Sequence, residues 1–425
     1  MVFQILRLML KSRRLKEKLI RQNKSKLGRI IVVTGARQTG KTTLVKKTFP
    51  RYTYISLDDP VMRMQYKELT ASQWAEFYPY AILDEVQKEP VLIESIKAVY
   101  DQYEEPKYLL LGSSQLLLLK KVRESLAGRC LINDLYPLTI PELLTESWED
   151  NIEDSFLQKY YKSEFKESPD LKPSFKLEKD YLKKTNAYEY YLRFGGYPAL
   201  LNGLNDEEKY LWLENYIRTY LERDVRDLAN FKSLDSFIKI QKVSALLTGQ
   251  LVNYTMLGNE AQVTSQTAKR FLEYLKISYQ IILLQPWFRN KLKRLVKTPK
   301  LHYIDPGVQS AILQKRGYMT GYEFESAIVA EIFKQLKNID FKGDFYHITT
   351  YEGREVDLLL EVESGYIAVE IKMTSNVTKR DAKHLTGLEE ILDKPLIKSF
   401  ILSNDDKVKY FDDNIVAMHA GMFLS

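Results

Sequence analysis

Cysteine is almost missing from this sequence, because Cys130 is the only one among 425 residues. A single cysteine excludes a disulfide framework and a zinc site built from cysteines. Long apolar runs are missing too, since none reaches the about 18 residues that a membrane-spanning helix needs. Charges at Arg7 and Lys11 interrupt the apolar start of the chain, which argues against a signal peptide. These absences predict a cytoplasmic protein without a membrane span.

The composition is otherwise that of a globular protein, with 45% hydrophobic residues and a length that suggests about two to four domains. The net charge of +7 is unevenly distributed, because residues 1–30 carry ten Lys or Arg residues against one acid, Glu17. Apolar residues interleave with these bases, which predicts an amphipathic helix packed against the rest of the chain. Its basic face would contact nucleic acid or an acidic membrane, or it would simply be solvated.

The most informative motif is G-x-x-x-x-G-K-T at residues 35–42, a phosphate-binding P-loop. A short β-branched run at 30–34 precedes it, and a helix can follow it until Pro50. In such a loop the backbone N–H groups surround a phosphate chain, and the helix N-terminus favours the anion. Lys41 would reach the β- and γ-phosphates, and the Thr42 hydroxyl would bind Mg²⁺. The predicted ATP-binding residues are Gly35, Ala36, Arg37, Gln38, Thr39, Gly40, Lys41, Thr42 and Thr43.

A second apolar strand ends in two acids, Asp84 and Glu85. Asp84 is predicted to be the partner of Mg²⁺, and Glu85 to polarise the attacking water. Alternatively, the two acids only open the loop that follows. Their position at a strand end after the P-loop favours the catalytic interpretation, and Glu85 favours hydrolysis over binding alone.

Two further residues are candidates for the same site. Ser113 follows the strand near 107–112 and would sense the γ-phosphate, or it belongs to an ordinary Gly-Ser-Ser turn. Arg129 precedes another apolar stretch and would act as an arginine finger on a neighbouring subunit's nucleotide, or it forms a surface salt bridge. The finger interpretation implies a homo-oligomer.

The chain is predicted to begin with an α/β core. Strands near 30–34, 52–57, 79–84, 107–112 and 130–134 alternate with helices, which indicates a parallel sheet over residues 1–145. Residues 146–185 are strongly charged and are interpreted as a linker or a mobile insertion. Residues 186–235 are predicted to form a helical lid over the nucleotide. Arg223 or Arg226 would sense the nucleotide there, or both belong to a solvated helix face.

Residues 236–310 resemble a winged helix. Three helical stretches lead to a hairpin, and the third begins after the cap Thr264 with polar residues that suit a recognition helix. The wing at 288–299 carries five bases and no acid, namely Arg289, Lys291, Lys293, Arg294 and Lys297. These features predict contact with double-stranded DNA, and the alternative is a winged helix that packs against protein.

A second chemical pattern lies in residues 315–425. Asp357 stands on one predicted strand, and Glu370 and Lys372 project from one face of the next. Two carboxylates that bind Mg²⁺ and a lysine that orients water suit metal-dependent phosphodiester cleavage. Glu325, on the preceding helix, would add a metal ligand. The pattern resembles the D…E-x-K signature of PD-(D/E)xK nucleases, a fold that can also serve as a scaffold without cleavage.

Together, the motifs at 35–42, 83–87, 112–114, 126–129 and 355–372 resemble a group of prokaryotic AAA-type ATPases with a C-terminal region of unknown function. The resemblance implies an α/β fold with a P-loop AAA-type ATPase core, a helical lid, a winged helix and a C-terminal α/β nuclease-like domain. Two interpretations of the function remain beside this resemblance. The first is Mg²⁺-dependent ATP hydrolysis coupled to DNA binding through the winged helix, with a C-terminal domain that cuts or grips the DNA. The alternative is a regulatory ATPase switch whose C-terminal domains bind a protein partner and cut nothing.

Overall fold

A computed structural model describes most of the chain, namely residues 10–112, 122, 124–166, 171–221, 234–288, 298–350 and 352–425. Within these ranges, no helix has the length and apolar character that crossing a bilayer requires. The described residues form two β-sheets joined by a largely helical region.

The first sheet has five parallel strands in the order β2-β3-β4-β1-β5. The strands are β1 (Ile30–Thr34), β2 (Thr53–Ser56), β3 (Tyr80–Asp84), β4 (Lys107–Gly112) and β5 (Leu131–Asp134). The predicted parallel sheet is therefore confirmed. All five residues of β1 are buried because the strand is central and both faces of the sheet are covered.

Helices cover this sheet on both sides. They are α1 (Leu15–Lys24), α2 (Lys41–Thr48), α3 (Pro60–Lys67), α4 (Ala71–Phe77) and α5 (Val91–Gln102). The next helix, α6 (Ile140–Leu143), follows β5 and packs with the C-terminal region instead. Alternate side chains of β1 enter opposite layers, because successive residues of a strand point to opposite faces. Ile30 and Val32 pack in one cluster with Trp74, whereas Ile31 and Val33 pack in the other with Leu19.

The basic N-terminal segment is fastened to the rest of the chain. Leu15 and Leu19 of α1 are buried against the first sheet, as the amphipathic pattern predicted. Many of the bases have internal partners: Arg13 is buried beside Glu142, and Arg14 pairs with Asp154 at 3.1 Å. These bases therefore form ion pairs with acidic residues from more distant parts of the chain.

The middle of the chain is mostly helical. Its elements are α7 (Phe156–Lys162), α8 (Tyr181–Phe194), α9 (Asp206–Tyr216) with a π-helical turn (Ile217–Leu221), α10 (Asp235–Leu246), α11 (Tyr254–Ala261), α12 (Ser265–Ile277), β6 (Ile281–Pro286), β7 (Lys300–Tyr303) and α13 (Pro306–Ile312). The order of α10, α11, α12 and the antiparallel pair β6–β7 follows the predicted helices and hairpin. Arg223 and Arg226, and the wing bases Arg289, Lys291, Lys293, Arg294 and Lys297, lie outside the described residues.

The second sheet is mixed and has eight strands, in the order β12-β13-β11-β10-β9-β8-β6-β7. The C-terminal elements are α14 (Gly321–Lys337), β8 (Asp344–Thr349), β9 (Glu355–Val362), β10 (Gly365–Lys372), β11 (Leu396–Ser403), β12 (Lys409–Tyr410), β13 (Ile415–His419) and α15 (Ala420–Leu424). The β6–β7 hairpin joins this sheet through β6, because Gln285 and Pro286 of β6 pair with β8. Two regions that the sequence separates into modules thus share one sheet.

Residues 146–185 differ from the predicted charged linker. Phe156, Tyr160 and Phe175 are buried in the same cluster as Phe400 and Phe423 of the C-terminal region. The many charged residues of this segment led to the linker prediction, although the segment also contains these aromatic residues. Burial of the aromatic rings fixes the segment against the second sheet.

Helix α14 is buried on all sides over most of its length. From Phe324 to Leu336, only Phe333 is not fully buried. The polar side chains among these residues bond to distant parts of the chain: Glu331 accepts a hydrogen bond from the Ile140 amide at 2.7 Å and pairs with Lys334 at 2.9 Å. Gln335 donates to the Leu424 carbonyl at 2.7 Å. The helix therefore joins the first sheet to the C-terminal region.

Replacement of Glu331 by leucine should destabilise the protein by about 3–5 kcal/mol, because Lys334 would keep a buried positive charge without its partner. The double replacement Glu331→Leu/Lys334→Leu should recover part of the loss, since neither charge remains. Urea unfolding followed by tryptophan fluorescence measures both.

The matched control is Glu207→Leu, which breaks the exposed pair between Glu207 and Arg316. Exposed pairs contribute about 0–1 kcal/mol, so this change should be nearly neutral. Equal effects of Glu331→Leu and Glu207→Leu would contradict a structural role for the buried pair.

Candidate functional site

The P-loop runs from the end of β1 to the first turn of α2, and its two glycines have separate geometric reasons. A Cβ atom on Gly35 would lie 2.2 Å from the Leu135 carbonyl oxygen, so no side chain fits there. Gly40 has φ +90°, a conformation that residues with side chains rarely adopt. The sequence spacing thus corresponds to a loop that only glycine permits at these two positions.

Lys41 lies inside the loop. Its side chain is buried, and Nζ donates to the carbonyl oxygens of Gly35 at 2.9 Å and Ala36 at 2.8 Å. Thr39 Oγ1 also donates to the Ala36 carbonyl at 2.8 Å. The ammonium group is therefore held within the loop, where the sequence predicted contact with phosphate.

Asp84 brings together three donors at the end of β3. The Thr42 hydroxyl donates to Oδ2 at 2.6 Å, the Tyr54 hydroxyl donates to Oδ2 at 2.9 Å, and the Glu85 amide donates to Oδ1 at 3.0 Å. The structure thus joins Thr42 and Asp84, two residues proposed from sequence as Mg²⁺ ligands. Sequence reasoning missed Tyr54, although it lies on β2, the strand next to β3. Burial and the Asp84 charge raise the pKa of Tyr54, so its phenol stays a neutral donor.

Glu85 follows directly in a left-handed conformation, with φ 58°. Its carboxylate accepts a hydrogen bond from the Gln87 side chain. Glu85 also lines the cavity at the P-loop, which has a volume of about 410 Å³. The role of this carboxylate in polarising the attacking water stays a prediction.

The rest of the cavity wall comes from outside the first sheet. Leu10 and Trp148 line one part, and Pro198 and Leu201 from the predicted lid line another. Pockets of about 300–1,000 Å³ with an apolar lining and a few polar groups are typical of small-molecule sites. The P-loop cavity has both features.

Two tyrosines from the helical region contact the P-loop strand and loop. The Tyr279 hydroxyl lies 2.6 Å from Thr34 Oγ1 and donates to Asp134 Oδ1 at 2.5 Å. The Tyr216 hydroxyl donates to the Arg37 carbonyl at 3.2 Å. Thr34 immediately precedes Gly35, and Arg37 lies two residues after it. The start of the P-loop is therefore contacted at two positions by residues from beyond the first sheet. Tyr216 lies in the range 186–235 that the sequence predicted to form a lid over the nucleotide, whereas no sequence pattern pointed to Tyr279.

The other two candidates of this site have different outcomes. Arg129 forms an ion pair with Asp101, with Nε 2.7 Å from Oδ1, and its side chain is 34% exposed. This pair is the surface salt bridge that was one of the two interpretations, and a finger role for Arg129 stays a prediction. Ser113 lies outside the described residues.

Comparison with known proteins adds family matches. Residues 27–144 match a family described as "AAA domain". The chain contains an AAA-type P-loop ATPase domain. Residues 185–318 and 320–423 match two domains of unknown function, DUF8612 and DUF4143. The ATPase domain of the predicted resemblance is thereby confirmed, as is a C-terminal region of unknown function, whereas the winged helix and the nuclease-like character stay predictions.

Relatives of known sequence include uncharacterized proteins of Mycobacterium tuberculosis and Methanocaldococcus jannaschii. The first is 26% identical over 359 residues, which cover 81% of this chain and 70% of the relative. The second is 27% identical over 331 residues, covering 71% of this chain and 66% of the relative. Among solved structures, a Walker-type ATPase of Pyrococcus abyssi aligns with a TM-score of 0.45 at 16% identity, over 72% of this chain and 99% of that one.

Beyond the ATPase domain, the second predicted constellation also converges. Asp357 of β9 lies beside β10, and its Oδ2 accepts a hydrogen bond from the Ile371 amide at 2.8 Å. Glu370 Oε1 pairs with Lys372 Nζ at 2.6 Å. Glu325 of α14 faces the same group of side chains. We call Glu325, Glu355, Asp357 and Glu370 the carboxylate cluster.

The carboxylate cluster holds a lysine that sequence reasoning missed. Lys300 Nζ of β7 lies 2.7 Å from Glu325 Oε1, 2.9 Å from Glu355 Oε1 and 3.2 Å from Asp357 Oδ1. Lys300 precedes an apolar strand in the sequence, and nothing in that pattern reveals its three partners.

The carboxylate cluster does not fit the predicted metal site. Within the described ranges, no group of three or more His, Cys, Asp or Glu side chains is arranged to hold a metal ion. Carboxylate oxygens that bind Mg²⁺ must approach to about 2.0–2.1 Å of one point. In the structure, three of the carboxylates converge on an ammonium group instead.

The carboxylate cluster should make stability depend on pH. Burial, and then the Asp357 charge, raise the pKa of Glu370 to about 8. Between the ordinary carboxyl pKa and pH 8 the folded chain therefore binds more protons than the unfolded chain, and stability falls as pH rises. Glu370→Gln removes this pH dependence. The free energy of unfolding of the variant, relative to that of the wild type, should therefore rise by up to about 1.4 kcal/mol per pH unit.

Urea unfolding of both proteins at pH 5, 6, 7 and 8 measures this difference. The control is Glu363→Gln, which changes an exposed glutamate in the turn after β9. Its stability relative to wild type should not vary across the series. A Glu370→Gln difference that is equally flat would show that Glu370 ionises normally.

Proposed function

We propose that this chain binds ATP with Mg²⁺, hydrolyses it at the P-loop, and couples hydrolysis to the binding of double-stranded DNA. The observation that carries the catalytic part is the contact between Thr42 and Asp84 beside Glu85. This contact joins the first turn of α2 to the end of β3, where an ATPase needs its ion-binding and water-activating groups.

The residues suit these roles chemically. Thr42 and Asp84 offer only oxygen atoms, which are the ligands that Mg²⁺ prefers. When bound there, Mg²⁺ supplies charge neutralisation for the phosphates. The amides of residues 36–43 and Lys41 would bind the phosphates, and Glu85 would orient water. Gly35 leaves room for this loop, because any Cβ would collide with the Leu135 carbonyl.

The DNA part of the proposal rests on α12. Its N-terminus is capped by Thr264, which accepts a hydrogen bond from the Thr267 amide. One face is buried, and the other exposes Lys269, Arg270 and Lys276 to solvent. An exposed basic helix that follows two others is suited to enter a major groove.

Coupling between the two sites is supported by Tyr279. This residue follows α12 by two positions, and its hydroxyl contacts Thr34 and Asp134 at the strand ends of the ATPase domain. Its ring also packs edge-on against Tyr136. A rearrangement of the P-loop on nucleotide binding would therefore be transmitted to the base of α12.

The second candidate function is a regulatory ATPase switch that acts on a protein partner or within a homo-oligomer. Pairing of β6 with β8 favours it, because a hairpin built into a larger sheet serves as a scaffold. The ammonium group among the carboxylates likewise favours a C-terminal region that cuts nothing. We therefore leave cleavage out of the proposed function.

Two substitutions test the ATPase site. Lys41→Ala should abolish nucleotide binding, whereas Glu85→Gln should keep binding and lower the hydrolysis rate by about 100-fold or more, because only water activation is lost. Fluorescent-nucleotide titration and phosphate release measure the two effects. Hydrolysis that survives in Glu85→Gln would remove Glu85 from the mechanism.

A salt titration tests the DNA site. If Lys269 and Arg270 contact phosphates, Lys269→Ala/Arg270→Ala should weaken binding to a duplex and reduce the slope of log K against log salt by about 2. The matched control is Lys379→Ala/Arg380→Ala, the same dipeptide at another exposed site. Should both pairs behave alike, or should DNA leave ATP hydrolysis unchanged, the regulatory switch would be favoured.

A further inference from the structure

The carboxylate cluster contains a cation already, and that cation belongs to the chain. Lys300 is 1% exposed and reaches Glu325, Glu355 and Asp357 from β7. An ammonium group carries three protons and accepts none, so three carboxylates can use its whole capacity. The number of partners matches the number of protons.

We propose that the Lys300 ammonium group permanently occupies the place of a metal ion in the carboxylate cluster, so that the C-terminal region binds no divalent cation there. The proposal is independent of ATP hydrolysis and of DNA binding by α12. Under this proposal, the residues of the D…E-x-K pattern form a structural site in which the Lys300 charge offsets the carboxylate charges.

The surroundings favour a charged lysine. Burial alone would lower the pKa of Lys300, but the charges of Asp357, Glu325 and Glu355 outweigh it and raise the pKa above its ordinary value. Two histidines also border the site, and burial together with the Lys300 charge lowers the pKa of both His302 and His347. Their rings are neutral at pH 7, so the lysine does not share the carboxylates with another buried cation.

A divalent ion has no place beside this lysine. It would need the same carboxylate oxygens, which lie 2.7–3.2 Å from Nζ, and it would be repelled by the ammonium charge at short range. The second lysine, Lys372, is 38% exposed and pairs with Glu370. It lies at the solvent side of the cluster and could move away, whereas Lys300 could not.

The test is Mn²⁺ binding to the full-length, nucleotide-free protein, measured from the free-ion electron paramagnetic resonance signal. Wild type and Asp357→Asn should bind equally little, because Asp357 already serves Lys300. Lys300→Met should gain one site with at least tenfold higher affinity for Mn²⁺, and the added change Asp357→Asn should remove it. Lys372→Met is the matched control and should gain nothing.

Wild-type binding that Asp357→Asn abolishes would overturn the proposal by itself, whatever the variants do. A folded Lys300→Met that gains no site would overturn it as well, because the ammonium group would then not be what excludes the metal. If Lys300→Met does not fold, the double variant Lys300→Met/Glu325→Gln is used in its place. This double variant buries one carboxylate charge fewer. Thermal unfolding with and without Mn²⁺ gives a second readout, since an ion that binds only the folded state raises its Tm.

Discussion

The rest of the structure depends on one constraint, namely that the buried polar side chains of α14 need hydrogen-bond partners. A buried polar group without a partner costs about 1–3 kcal/mol, so each of these side chains must find one. Glu331 finds the Ile140 amide, Ser326 accepts from the Tyr303 amide, and Gln335 donates to the Leu424 carbonyl. The partners come from the end of the ATPase domain, from β7 and from the last helix. None of these parts can move against another without breaking a buried hydrogen bond.

This packing decides what surrounds the nucleotide site. The P-loop and Asp84 lie within the ATPase domain, but part of the cavity wall comes from Trp148 and Leu201, beyond the first sheet. Tyr216 and Tyr279 bond to the loop and to the strand before it. These two contacts are the reason why we propose that a change at the loop reaches α12.

The same physics separates the two acidic sites. At the P-loop, Asp84 is satisfied by hydroxyl and amide donors, which leave its charge available for a metal ion. In the carboxylate cluster, Lys300 supplies a full positive charge to three acids. The carboxylates of the two sites thus differ in chemistry, because the group opposite them is an uncharged donor in one case and a cation in the other.

The sequence by itself determined the five parallel strands, the P-loop with Lys41 and Thr42, and the two acids at the end of β3, because periodicity and glycine geometry act between near neighbours. It also indicated the three helices before the β6–β7 hairpin. Only the tertiary structure decided that aromatic residues of 156–175 are buried, that β6 joins β8, and that Lys300 meets Asp357, 57 positions away. Hydrophobic and polar patterns show that a face is buried, whereas the partner of that face depends on how distant segments pack.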